Sequence, residues 1–405
     1  MGRGHREVNS RWLFKLWTTN LFLSIEIFIF VLSLTETSNM KTRKLIIGIA
    51  VALLAVSCEH HQPSIRHQKE KLGKLIFFDE SLSSPAGQSC ATCHDPDMGF
   101  ADKHARIVSE GAVKGLFSCR NSMSICYAAY VPELHYNTED STYVGGLFWD
   151  GRTANLQTQA GDPFLNPVEM GTVDKESIVN LVKRADYYPL LTSIYGDTEN
   201  IDSLYFRITD AIAAYEASEE VNPFSSKFDA CQKGKYEMTE AEKRGLELFK
   251  DKGLCAECHI MEDDPRAGRP LFTDHTYDNL GFPRNPENPH YRVPAKYFSM
   301  PPDSIDRGLG MIVGKEEENG KFRVPTLRNI EKTAPYGHNG YFKTLEEVIH
   351  FYNTRLINTA YPAPEYPATV NVEELGDLKL TPQEEADIVT FLKTLTDGYG
   401  HEKKN

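Results

Sequence analysis

The sequence has no excess of positive charge, little cysteine and, before residue 40, only a short apolar run. Its 57 Asp and Glu residues outnumber its 44 Lys and Arg residues, which gives a net charge of −13. This balance argues against a nucleic-acid partner and is compatible with docking of a basic protein. The early run "LFLSIEIFIFVLSL" is interrupted by Glu26 and is too short to span a bilayer comfortably. With 405 residues, 40% of them hydrophobic, the chain is long enough for two globular domains.

Four of the 8 cysteines form two motifs with the same spacing, C-A-T-C-H at residues 90–94 and C-A-E-C-H at residues 255–259. A histidine directly after C-x-x-C is the attachment signature of c-type haem. At this composition, chance gives one such motif with a probability of roughly one in a few hundred. One zinc ion held by both cysteine pairs is an alternative, but it leaves both histidines without a role.

Each motif therefore predicts one covalently bound haem. The two cysteines would bond the vinyl groups of the porphyrin, and the histidine would ligate the iron. These residues are Cys90, Cys93 and His94 in the first motif, and Cys255, Cys258 and His259 in the second.

A faint internal repeat surrounds the two motifs. Three residues before the first motif recur before the second at identical internal spacing: Gly73, Phe77 and Asp79 correspond to Gly245, Phe249 and Asp251. Two related haem modules are the simplest explanation of this repeat. Because the porphyrin supplies part of the core, small helical domains with long loops are expected around each haem.

Helix signals dominate the rest of the chain. Capping boxes start three segments, with the pairs Thr239 and Glu242, Thr344 and Glu347, and Thr381 and Glu384. The last segment has one apolar face formed by Ile388, Phe391, Leu392 and Leu395. Two segments rich in Pro, Gly and Asn are predicted to be loops, residues 283–303 and 358–371. We expect a mainly α fold of two cytochrome c-like haem domains, residues 58–235 and 236–405.

Export is predicted by "MKTRKLIIGIAVALLAVSC", which runs from Met40 to Cys58. It has a basic start, an apolar run and a small residue before the cysteine. We expect residues 1–57 to be a leader whose true start is Met40, and Cys58 to be the lipid-modified first residue of a periplasmic protein. A plain signal peptide that happens to contain a cysteine, and an N-terminal anchor, are the alternatives.

Two long segments carry a family resemblance, "GGLFWDGRTANLQTQAGDPFLNPVEMG" and "FRVPTLRNIEKTAPYGHNGYFKTLEEVIHFYN". They resemble the bacterial dihaem cytochrome c peroxidase family, which includes MauG. The resemblance implies that hydrogen peroxide is reduced to water at the N-terminal haem. Electrons would enter through the C-terminal haem from a small cytochrome c or a cupredoxin.

The resemblance also implies roles for individual residues. Glu169 matches the distal acid that moves a proton between the peroxide oxygens, and Gln159 and Pro163 match other positions of the distal pocket. Trp149 would lie between the haems and relay electrons. One calcium ion between the domains is expected at Asn121, Thr333 and Pro335, held partly by backbone oxygens.

The second axial ligand of the His259 haem is expected to be Tyr352. It lies fourteen residues beyond His338, where many family peroxidases have a methionine and MauG has a tyrosine. In the alternative, Tyr352 only packs on one face of a capped helix. Met261, Met300 and Met311 are further candidate ligands, although none lies at the family position.

The sequence departs from the family at several places. "RNSMSICY" replaces the usual "RNTPTLLN" and brings Cys126 near Cys119, where the two could form a disulfide or stay free. The spacing of His104 does not suit the loop histidine that blocks the peroxide haem in some members, which favours constitutive access. "KDKGLC" lacks the tryptophan that MauG uses to contact its partner protein. A MauG-like oxidase and a dihaem electron carrier remain the alternatives to a peroxidase.

Overall fold

The chain folds mainly into short helices joined by long loops, as a computed structural model shows for residues 64–297 and 305–400. Numbered in chain order, the α-helices are α1 (Ile65–Phe77), α2 (Cys90–Cys93), α3 (Leu156–Gln159), α4 (Asp162–Leu165), α5 (Lys175–Val182), α6 (Tyr188–Tyr195), α7 (Ile201–Glu216), α8 (Lys227–Gln232), α9 (Glu240–Lys250), α10 (Leu309–Val313), α11 (Leu345–Thr354) and α12 (Pro382–Lys393). The expected mainly α class is confirmed. The predicted leader, with Met40 and Cys58, lies outside the described residues. Over the described ranges, no helix is both long and apolar enough to cross a membrane.

Regular sheet structure is limited to two small antiparallel pairs within the described chain. Strand β1 (His135–Asn137) pairs with β2 (Thr142–Val144), and β3 (Tyr277–Asp278) pairs with β4 (Phe322–Arg323). Residues 358–371 contain no helix or strand, as predicted. Two 3-10 turns, Pro289–Arg292 and Ala295–Tyr297, interrupt the other predicted loop.

The predicted helix starts are confirmed. Thr239, Thr344 and Thr381 each accept a hydrogen bond from a backbone N–H of the first turn, and each capping box is complete. These bonds satisfy donors that the helix itself leaves free. The apolar face predicted for α12 is buried, since Ile388, Phe391, Leu392 and Leu395 are all at most 4% exposed.

The internal repeat corresponds to two similar helix crossings, α1 on α7 and α9 on α12. At Gly73, a Cβ atom would lie 1.8 Å from the carbonyl oxygen of Ala211, and at Gly245 it would lie 2.0 Å from that of Asp387. No other residue fits at such distances, because real Cβ atoms essentially never approach within 3.0 Å. The repeated glycines therefore allow both helix pairs to approach closely.

The repeated phenylalanines also take equivalent places. Phe77 packs edge-on against Tyr215 of α7 with ring centres 5.2 Å apart, and Phe249 packs edge-on against Phe391 of α12, also at 5.2 Å. Both phenylalanines are 0% exposed. Edge-to-face pairs of this kind add to the gain from burial alone.

Two large hydrophobic clusters lie within the described residues 64–297 and 305–400, which belong to one compact unit. The first cluster includes α1, α5 and α7, and the second includes α9, α11 and α12. Chain order does not separate them completely, because Leu271 belongs to the first cluster and Phe228 to the second. The domain boundary expected near residue 235 stays a prediction.

A buried ion pair lies where the two clusters meet. Arg328 is 1% exposed, and its Nη1 and Nη2 donate to the two carboxylate oxygens of Asp229 at 3.0 Å each. Its guanidinium carbon lies 4.6 Å from the ring centre of Phe224 in the first cluster and 5.8 Å from that of Phe272 in the second. Arg328 thus contacts both clusters with one planar cation.

We expect Arg328→Met to lower the free energy of unfolding by about 3–5 kcal/mol, because it leaves Asp229 buried without its cation. Denaturant unfolding of the haem-loaded protein measures this loss. The control is Lys74→Met, which breaks the pair of Lys74 with Glu220, whose side chains are 47% and 48% exposed. That change should cost less than about 1 kcal/mol. Equal losses in the two variants would contradict the interpretation of Arg328.

Candidate functional site

The first motif presents His94 in the form that haem iron requires. Helix α2 carries both cysteines, and the backbone N–H of Ser89 donates to the hydroxyl of Thr92 at 3.0 Å. The Nδ1 atom of His94 lies 3.1 Å from the carbonyl oxygen of Phe100. Because a carbonyl can only accept, Nδ1 carries the hydrogen and Nε2 keeps its lone pair for a metal. Burial lowers the pKa of His94, which favours this neutral ring.

The second motif repeats this arrangement. A 3-10 turn, Cys255–Glu257, carries the first cysteine, and Nδ1 of His259 lies 2.8 Å from the carbonyl oxygen of Phe272. Burial lowers the pKa of His259 to about 4. Phe100 and Phe272 share a left-handed backbone, with φ of 58° and 55°. Such angles are uncommon for bulky residues, and here they aim a carbonyl at the histidine.

A cavity that opens to solvent adjoins the second motif. Cys255, Cys258, His259 and Tyr352 all line it. Two thiols, a neutral imidazole and a phenol around a mostly apolar space fit a covalently attached haem. The residues of the second motif therefore suit the cofactor that the sequence predicts.

Other predicted site residues line the same cavity: Trp149, Asn121, Thr333, Pro335 and His338. The indole Nε1 of Trp149 donates to the carbonyl oxygen of Asn121 at 2.9 Å, which ties the predicted relay to a predicted calcium ligand. Calcium itself stays a prediction. In the described parts of the chain, no three His, Cys, Asp or Glu side chains group closely enough to hold a metal ion.

Tyr352 lies on α11 and faces the cavity beside the second motif. Burial raises the pKa of Tyr352 well above its usual value, and the charge of Arg355 opposes that shift. A bound ferric iron would be needed to hold it as a phenolate. Met311 is 43% exposed, Met261 packs at the edge of the second hydrophobic cluster, and Met300 lies outside the described residues.

The predicted distal residues lie in the loop and short helices before α5. Ser118 donates its hydroxyl to Glu169 Oε1 at 3.4 Å. Burial raises the pKa of Glu169, and the charge of Arg152 only partly offsets the effect. Glu169 is close enough to the first motif for its charge to raise the pKa of Cys93, although burial of that thiol is the larger cause.

The other two distal positions lie in the two short helices that precede Glu169. Gln159 ends α3, and Pro163 lies in α4. The carbonyl oxygen of Pro163 accepts the backbone N–H of Met170 at 3.1 Å, which holds α4 against the segment that carries Glu169. The roles of Glu169, Gln159 and Pro163 in chemistry stay predictions.

The described cysteines outside the motifs form no disulfide. Cys119, Cys126 and Cys231 form no disulfide, so the bond between Cys119 and Cys126 that the sequence left open is not made. Cys126 lies 3.6 Å from the carbonyl oxygen of Gly99, and burial raises the pKa of its thiol to about 12. It is therefore an inert buried thiol rather than a nucleophile.

Sequence reasoning missed three buried polar residues near these sites: Glu216, His275 and Arg323. Glu216 ends α7, is 4% exposed, and its Oε2 has no hydrogen-bond partner among the described residues. Burial raises the pKa of the Cys90 thiol, and the charge of Glu216 adds to that effect. Nothing in the local pattern of α7 distinguishes Glu216 from a solvated helix residue, so only the fold reveals it.

Comparison with known proteins agrees with these features. The di-haem cytochrome c peroxidase family matches residues 67–237. The methylamine utilization protein MauG of Paracoccus denitrificans is 35% identical over 347 residues, which cover 80% of this chain and 88% of that protein. A cytochrome-c peroxidase of Denitromonas iodatirespirans is 30% identical over 344 residues, 81% of each protein. The crystal structure of the diheme peroxidase BthA from Burkholderia thailandensis has a TM-score of 0.73 at 32% identity and covers 83% of this chain and 86% of that one.

Two haem attachment motifs in one helical chain define a dihaem c-type protein. With the matches above, this chain belongs to the di-haem cytochrome c peroxidase and MauG family. Membership implies two c-type haems and oxidoreductase activity. Both peroxidases and MauG proteins are among the similar proteins, so membership does not choose between their substrates.

Glu216 generates a prediction about stability and pH. Burial raises its pKa from 4.5 to about 8, so the unfolded chain releases this proton at lower pH than the folded one. Stability should therefore fall as pH rises from 4.5 to 8. We expect the free energy of unfolding of Glu216→Gln, relative to that of wild type, to increase by on the order of 3 kcal/mol between pH 5.5 and 8.5. Denaturant unfolding at both pH values measures it, with Glu219→Gln, at an exposed position, as the control. If the difference in unfolding free energy between Glu216→Gln and wild type does not change with pH, the raised pKa of Glu216 is wrong.

Proposed function

We propose that the protein reduces hydrogen peroxide at the haem on Cys90 and Cys93, with electrons entering through the haem on Cys255 and Cys258. The observation that carries this proposal is Glu169, an acid with a raised pKa close to the first motif. A general acid and base works best when its pKa lies near the working pH. Glu169 meets this requirement better than a solvated carboxylate does.

Bound haem would supply the redox chemistry, and the protein would manage the protons. Glu169 would take the proton from one peroxide oxygen and return it to the other, so that the O–O bond breaks with water as the leaving group. With two electrons and two protons supplied, one hydrogen peroxide gives two waters. Ser118 would orient the carboxyl through its hydrogen bond, and Gln159 and Pro163 would shape the pocket.

Trp149 supports electron transfer between the two sites. Its indole lines the second cavity and its N–H bonds the carbonyl of Asn121, so the ring is held in one orientation. A fixed aromatic ring between two redox centres shortens each tunnelling step. Small electron-transfer proteins, such as a cytochrome c or a cupredoxin, are the proposed donors. A calcium ion at Asn121, Thr333 and Pro335 would stabilise the same region.

A MauG-like oxidase is the second candidate, and the position of Tyr352 in the second cavity favours it. Methionine raises a haem potential, whereas a phenolate stabilises ferric and higher-valent iron. Against this candidate, "KDKGLC" lacks the tryptophan that MauG uses to contact its partner. A pure electron carrier would have no use for an acid such as Glu169. Under either enzymatic activity, we propose that the protein is exported and anchored by lipid on Cys58.

We expect Glu169→Gln to lower kcat/KM for peroxide by at least about a hundredfold, because an amide cannot take up the proton that must move. Peroxide consumption with reduced cytochrome c and cupredoxin donors measures turnover, and mass spectrometry confirms two attached haems. Glu139→Gln, at an exposed position, is the matched control and should change little. Full turnover in Glu169→Gln would favour the electron carrier. Wild type with two haems and no consumption with any donor would refute the peroxidase.

We expect Tyr352→Phe to shift the ferric spectrum of one haem and raise its midpoint potential, because a phenolate stabilises the ferric state. Spectroelectrochemical titration follows both properties. Tyr361→Phe is the control, since Tyr361 packs on Phe351 with ring centres 4.9 Å apart. If Tyr352→Phe leaves both spectrum and potential in place, Tyr352 is a packing residue.

A further inference from the structure

Three arginines of the described chain are largely buried, and two of them have carboxylate partners. Arg328 pairs with Asp229, as described above. Arg120, with a side chain 10% exposed, donates to Asp150 at 2.6 Å and to Asp306 at 2.7 Å. These pairs follow the usual rule that a buried charge is compensated.

The third, Arg323, is 6% exposed and has no carboxylate partner within the part of the chain that the structure describes. Its Nε donates to the carbonyl of Phe148 at 3.3 Å, and its Nη2 lies 3.8 Å from the sulfur of Met123. Burial lowers the pKa of Arg323, but a guanidinium stays charged even so. An uncompensated cation at this depth costs several kcal/mol, so we expect an anion from a bound group beside Arg323.

His275 lies near Arg323 and is also unpartnered. It is 3% exposed, and neither ring nitrogen has a hydrogen-bond partner among the described residues. Its nearest carboxylate, on Asp264, is 3.8 Å away and already binds Arg266 at 2.7 Å. Burial, aided by the charge of Arg323, lowers the pKa of His275 to about 3. The ring is therefore neutral and offers one N–H donor.

Both residues line the cavity that also contains Cys255, Cys258 and His259. We propose that Arg323 and His275 together bind a propionate carboxylate of the haem attached there. The planar fork of Arg323 suits a carboxylate, and His275 can donate one further hydrogen bond. This inference rests on the haem placement of the proposed function, but not on peroxide as the substrate.

The site would also connect the haem to Trp149. The backbone N–H of Arg323 donates to the carbonyl of Trp149 at 2.9 Å, and its side chain bonds the carbonyl of Phe148. The residue that holds the propionate therefore fixes the backbone of the proposed relay. A second consequence is electrostatic, because a cation beside the porphyrin favours the reduced iron.

The test is a spectroelectrochemical titration of the full-length, haem-loaded protein. Arg323→Met should lower the equilibrium constant for reduction of the second haem by at least roughly tenfold, which is about 59 mV for a one-electron couple. Arg323→Lys keeps the positive charge, so the midpoint potential of the second haem should stay close to the wild-type value. Arg292→Met, at an exposed position, is the control and should not shift it.

An unchanged potential in Arg323→Met with both haems attached would overturn the proposal. If Arg323→Met does not load haem, His275→Leu is used instead. The propionate bending band in the resonance Raman spectrum of His275→Leu should then move. An unmoved band would also overturn the proposal. A wild-type potential that follows added acetate at fixed ionic strength would show a free anion, and so would refute the propionate. None of these readouts needs peroxide turnover, so failure of the peroxidase activity is distinguishable from failure of this site.

Discussion

The hydrogen bond from each motif histidine to a phenylalanine carbonyl is the constraint on which both predicted haem sites depend. It fixes which ring nitrogen is free for iron, and it sets the ring plane relative to the two cysteines. The carbonyl must be turned inward to accept the bond, and the left-handed backbone at Phe100 and Phe272 achieves this. The buried aromatic residues around Phe272 help to hold that strained conformation, since its ring packs 5.0 Å from Phe228.

The buried charged groups around the sites all carry the free-energy cost of removal from water. Arg120 and Arg328 are neutralised by carboxylates of the protein. Glu169 and Glu216 instead have raised pKa values, because burial favours their protonated form. Ion pairing and protonation both reduce the cost of burying a charged group. Paired charges stabilise a fixed arrangement, while an unpaired carboxyl keeps a proton that it can exchange. The arrangement therefore separates structural ions from groups able to take part in chemistry.

Local signals in the sequence predicted much of this fold, because their physics acts within a few residues. The capping boxes at Thr239, Thr344 and Thr381 are complete in the structure, and Gly73 and Gly245 lie at equivalent helix crossings. Counting along the family pattern selected Tyr352 as an iron ligand, which stays a prediction, and the structure shows that Tyr352 lines the cavity of the second motif. Contacts between distant segments could not be predicted in this way. Arg323 and His275 become neighbours only after the chain folds, and whether Cys119 and Cys126 form a disulfide depends on geometry rather than spacing.

The two motif histidines reach their carbonyl partners across loops of different length. Phe100 follows His94 by six residues, whereas Phe272 follows His259 by thirteen. The bond is nevertheless the same, so the loop can lengthen without disturbing the predicted iron ligand. Evolution of such a duplicated module can then proceed in the loops alone. The residues of the attachment motif then stay the same in both copies, while the loops around them differ.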